Sequence, residues 1–92
     1  MARLPLYKIR IIRKAANMIH DALYDRGIKK KHFAERAGIP PIKLSQILGG
    51  ARTSLEIATN ITEEIVRITN KELDVWDLFV KVEKWEMNDH IM

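Results

Sequence analysis

The chain has 92 residues, 47% of them apolar and 30% charged, with no cysteine and a formal net charge of +4. That length holds one small core and hence one domain, and the missing cysteines exclude disulfides and a thiolate zinc site. No apolar run approaches the roughly 18 residues of a membrane span, and no signal-like apolar stretch follows the start. The expectation is a soluble protein of the reducing cytoplasm.

The charge is unevenly spread. Residues 1–52 hold 12 Lys/Arg against 3 Asp/Glu, giving +9, while residues 53–92 hold 4 against 9, giving −5. A basic half suits a polyanion and an acidic half suits solvent or another partner.

In chain order, residues 1–4 read as a frayed end, with Pro5 at a helix start. Residues 6–26 read as one helix. Ile9, Ile12, Ala16, Ile19 and Leu23 recur at helical spacing, and Ile11, Ala15, Met18 and Ala22 form a second stripe beside them. The helix is therefore apolar over more than half its circumference. Two covers are open to the second stripe: another subunit, or the carboxy-terminal segment of the same chain. Gly27 ends the helix and Ile28 makes an apolar contact at the junction.

Residues 29–52 organise the rest. A short helix is predicted over 30–37, with Phe33, Ala34 and Ala37 on one face, then a stop at Gly38. Ile39 plugs the turn. Pro41 opens a second helix over 41–48, where its missing N–H is no loss. Leu44, Ile47 and Leu48 point inward at i, i+3, i+4, and Gly49-Gly50 closes the helix. Two short helices over a tight turn are the spacing of a helix-turn-helix. The outward positions of the second helix include Ile42, Lys43, Ser45 and Gln46.

Beyond the motif, Ser54 is a helix cap. Leu55, Ala58, Ile61, Ile65 and Ile68 predict a helix of about 14 residues, with Glu56, Glu63 and Glu64 on its other face. Asn70 stops it, and Asp74 caps a last short helix over 75–79. Residues 80–87 stay open between strand and helix: Val80 and Val82 alternate with charges, but Val75, Leu78, Phe79, Val82 and Trp85 also fit helical spacing.

The chemistry these residues carry suits duplex DNA. Gln46 can bond adenine bidentately, Ile42 can meet a thymine methyl, and Lys43 can reach guanine or phosphate. Ser45 can contact a base or phosphate. Each has a plainer alternative: a solvated Gln46, an Ile42 packed on the preceding helix, a Lys43 that touches nothing, a Ser45 bonded to local backbone. Lys29, Lys30 and Lys31 crowd a helix amino end that already carries positive potential, which makes sense if a phosphate sits there, the alternative being a solvated lysine run. No metal is expected, because His20, His32 and His90 lack ligand spacing and no cysteine is present. No enzyme is expected either: Gly49-Gly50 lacks the Lys-Ser/Thr of a phosphate loop, and Ser45 has no triad partners. Trp76, Phe79 and Trp85 read as core or interface anchors.

Phe33-Ala34, Gly38-Ile39-Pro40, Leu44-Ser45 and Gly50 also resemble the motif of the lambdoid Cro and repressor (XRE-type) helix-turn-helix family. Pro40 stands where the family has a Ser or Thr cap, Leu48 where a Glu is common, and Lys30 where a Gln is frequent. The resemblance covers about residues 19–79, including an Asp-Leu-Phe ending at Asp77-Leu78-Phe79. It implies an all-α, five-helix domain over residues 1–79, with a carboxy-terminal extension over 80–92 as a dimerisation element. It further implies a phage or prophage transcriptional regulator that needs no cofactor and binds an inverted-repeat operator as a homodimer. On that resemblance Gln46 falls where the family touches bases, Ser45 matches its motif serine and Arg52 its backbone-contacting loop residue. With the chemistry above, Pro41, Ile42, Lys43, Ser45 and Gln46 are the expected base contacts and Lys29, Lys30, Lys31 and Arg52 the expected phosphate contacts. Two other readings stand beside it: an antitoxin that represses its own operon and masks a toxin, and a protein-interaction module that meets a partner through the acidic half without DNA.

Overall fold

The computed structural model describes residues 8–82. Seven elements follow in order: β1 (Lys8–Ile11), α1 (Arg13–Arg26), α2 (Lys30–Ala37), α3 (Pro41–Leu48), α4 (Leu55–Thr69), α5 (Val75–Leu78) and β2 (Phe79–Val82). The protein is mostly helical but not all-α. β1 and β2 form a two-stranded antiparallel sheet in the register Lys8↔Val82 to Ile11↔Phe79.

The sheet corrects the expectation of one helix over 6–26. Residues 8–11 are strand, and the helix begins only at Arg13. Ile9 and Ile11 are both buried with the half-buried Arg10 between them, so a period of two replaces the helical one. β-branched isoleucines fit that pleated backbone. On the other side of β1, Ile9 and Thr53 exchange backbone hydrogen bonds of 2.9 and 2.7 Å. β1 thus lies between β2 and the loop that follows α3. Residues 80–82, set apart above as the start of an extension, belong to β2. The remainder of the extension, with Trp85 and His90, lies outside the described residues, as do residues 1–7.

Both apolar stripes of α1 are buried within the chain at Ala15, Ala16, Ile19, Ala22 and Leu23, with Met18 half-buried. α1 and α2 stop the same way. Gly27 and Gly38 take left-handed φ of 65° and 79°, a conformation that costs a residue with a Cβ about 1 kcal/mol or more. The following isoleucine N–H then reaches back to the helix, from Ile28 to the Leu23 carbonyl and from Ile39 to the Ala34 carbonyl, each at 2.9 Å. That pairing satisfies a carbonyl the helix end leaves open and brings the isoleucine onto the core. Arg26 ties α1 to α4: its Nε donates to the Ile68 carbonyl at 2.9 Å.

One core joins the helices and the sheet. Phe33 and Ala34 of α2, Leu44 and Ile47 of α3, Ile61 and Ile65 of α4, and Phe79 of β2 are almost wholly withdrawn from solvent. Each large side chain there contributes about 1.5–3 kcal/mol by leaving water. α4 departs from the sequence expectation at one position. Glu64, expected on the outer face beside Glu56 and Glu63, is buried. It lies next to Ile61, Ile65 and Ile68 on the helical net, and Arg67 compensates the carboxylate, its Nε donating to Oε1 at 3.2 Å. The hydrogen bond to Glu64 in turn raises the Arg67 pKa.

Candidate functional site

α3 is divided lengthwise. Leu44, Ile47 and Leu48 are buried, and Pro41, Ile42, Lys43, Ser45 and Gln46 are exposed. Ile42 keeps 72% of its surface in solvent, which removes the alternative that it packs on α2. The Ser45 hydroxyl and the Gln46 amide make no hydrogen bond with the described residues, so the local-backbone alternative for Ser45 falls as well. An exposed face with an isoleucine, a cation, a hydroxyl and an amide, none of them used internally, can offer donors, acceptors and an apolar contact to one ligand surface.

The base of that face is set by the turn. Gly38 swings the chain, Ile39 buries, and Pro40 in extended conformation leads into Pro41. α3 therefore starts without a side-chain cap and without an acid in its first turn. α2 starts the same way. Lys29 is its capping residue but offers no side-chain acceptor, and no acid lies in the first turn. His32 and Phe33 donate to the Lys29 carbonyl at 3.0 and 3.1 Å, which leaves the N–H groups of Lys30 and Lys31 without helical partners. Lys29, Lys30 and Lys31 are all exposed, and none forms an ion pair among the described residues. Lys31 and Pro41 line one hollow together with His32, Glu35 and Ile39, so the α2 lysine cluster and the start of α3 are neighbours.

The far end of α3 is closed by Gly50 at φ 109°, with the Ala51 N–H donating to the Gln46 carbonyl at 2.9 Å. Arg52 is exposed in the loop beyond, next to Thr53, which the Ile9 pairing holds. Sequence reasoning overlooked what lies on this side. A groove of about 610 Å³ is lined by Arg10, Arg13, Asn17 and His20 together with the end of α3. The dense cations of Lys8, Arg10, Arg13 and Lys14 were the available signal, but nothing in their spacing says that they lie beside the end of α3.

Among the described residues no group of three or more His, Asp or Glu side chains could hold a metal, and no helix is long and apolar enough to cross a membrane. Comparison with protein-family models, with curated proteins and with solved structures found no match.

Proposed function

We propose that this protein binds duplex DNA in a sequence-dependent way and acts as a transcriptional regulator. α2 and α3 form a helix-turn-helix pair, with α3 as the element that enters the major groove. The observation that carries the reading is the division of α3: its inner side is locked in the core, and its outer side presents Ile42, Lys43, Ser45 and Gln46 unused. Gln46 reads an adenine edge, Ile42 lies against a thymine methyl, and Lys43 and Ser45 bond base or phosphate oxygens. Lys29, Lys30 and Lys31, over the open amino end of α2, hold phosphates and set the register, with Arg52 at the other end of α3. Two copies place their α3 helices in successive major grooves about 34 Å apart and read an inverted repeat. Occupancy of such a site excludes polymerase or a competing regulator.

Binding-site selection from random duplex, run at two salt concentrations, tests the proposal. The expected product is an inverted repeat with half-site centres about ten base pairs apart. Gln46→Ala is expected to relax base choice at one half-site position, at a cost of about 1–3 kcal/mol. Equal affinity of the parent for all duplexes would remove the reading.

One observation favours a second reading, a protein partner on the acidic half. Trp76 on α5 and Val80 on β2 keep 44% and 46% of their surface exposed, and aromatic side chains anchor protein interfaces. Co-purification of a partner lost on Trp76→Ala, with no duplex affinity in the parent, would favour it over DNA.

A further inference from the structure

The groove at the far end of α3 has the chemistry of an anion site. Its polar lining comes from Arg10, Arg13, Asn17, His20, Gly49 and Gly50, and no carboxylate borders it. Arg10 is the pointed observation. Its Nε is shielded from solvent and has no hydrogen-bond partner among the described residues. A shielded guanidinium N–H without an acceptor is costly, and a phosphate oxygen in the groove would supply one. The planar guanidinium fork matches the oxygens of a phosphate. Arg13 adds a second cation at the first residue of α1, where no side chain caps the helix and no acid lies in the first turn, so the helix dipole reinforces the positive potential.

We infer that this groove binds a backbone phosphate of duplex DNA, held by Arg10 and Arg13, with Asn17 and His20 as further polar partners. The inference rests on the duplex-binding reading above. The site stands at the opposite end of α3 from the lysines of α2, because Lys31 borders the start of that helix at Pro41, while Arg10 and Arg13 border its end at Leu48. α3 is thus bracketed by cations at both ends. β1 holds the second bracket in place: tied to Thr53 on one side and to β2 on the other, it keeps residue 10 beside the end of α3.

The test uses the full chain in two arms. In the first, inorganic phosphate is titrated into isotope-labelled protein, and the expected result is saturable NMR shifts at the Arg10 Nε–H and at the Gly49 and Gly50 amides. In the second, duplex affinity is measured over a series of salt concentrations. Arg13→Gln with His20→Gln is expected to weaken every duplex alike and to make the slope of log affinity against log salt shallower by about 0.9, the value for one phosphate. Gln46→Ala should leave that slope unchanged. Both substituted positions of the double variant lie outside the core, and its thermal unfolding is followed as a control. Arg10→Gln alters a strand residue and is read only through the phosphate titration. A parent slope retained in the double variant, or phosphate shifts absent from Arg10, overturns the groove as a phosphate site. A parent that binds no duplex overturns the DNA reading itself, and with it the ligand assigned here.

Discussion

The two halves of this molecule begin their helices in opposite ways. α4 opens under Ser54, whose Oγ accepts from the Ile57 N–H at 3.2 Å, with Glu56 in the first turn. α5 opens under a reciprocal box: the Trp76 N–H donates to Asp74 and the Asp74 N–H donates to Asp77 at 2.7 Å. α1, α2 and α3 have no side-chain cap and no acid in their first turns. Capping is worth about 1 kcal/mol per helix, so the basic half forgoes stability that the acidic half takes. The contrast shows which helix ends are left open to an anion. Helix ends that lack an internal anion, set among lysines and arginines, are the ends that an external anion can complete.

Four changes break or sharpen that contrast. The largest effect is expected where both halves share one interior. Leu44→Ala should cost about 2–5 kcal/mol of stability in urea unfolding, with a single transition for the whole protein. Next, replacing Lys29, Lys30 and Lys31 together by Gln should leave the fold intact and make the salt slope of duplex affinity shallower by up to about 0.9 per residue that holds a phosphate. Asp74→Ala should cost about 0.5–2 kcal/mol and leave duplex affinity as it was, since α5 lies in the acidic half. The smallest change is the most diagnostic. Lys29→Asp gives α2 the cap it lacks and should raise stability by about 0.5–1 kcal/mol while lowering duplex affinity. If stability and affinity rose together, the open end of α2 would have no ligand role.

The parts of the fold legible in the sequence are those decided by neighbours. Gly38 and Pro41 are close-range punctuation, and α2 and α3 fall on the expected residues. Ser54, Asn70 and Asp74 act the same way, each within a turn of the helix it bounds. β1 is hidden because Ile9 belongs to the helical stripe that continues through Ile12 and Ala16, whichever backbone it adopts. Four residues of alternation do not outweigh that stripe, and the strand that pairs with β1 comes from the far end of the chain. Val80 and Val82 stay undecided in sequence for the same reason. Glu64 misleads because a carboxylate reads as solvent-facing until its ion pair with Arg67 is known. Within the candidate site, the outward face of α3 follows from helical periodicity, but the meeting of Arg10, Arg13 and His20 with the end of α3 is a tertiary contact that periodicity does not report.

The register of the sheet bears on how the protein folds. Lys8 and Val82 stand opposite one another, so the pairing joins segments about 70 residues apart, and the entropy of closing that loop is spent before the contact repays it, which slows folding. Until then Ile9 and Ile11 have no strand from the far end to pair with, and Arg10 is not yet fixed beside α3. A chain that has wound its helices before the sheet closes has its interior in part but not yet the placement of Arg10 beside the end of α3.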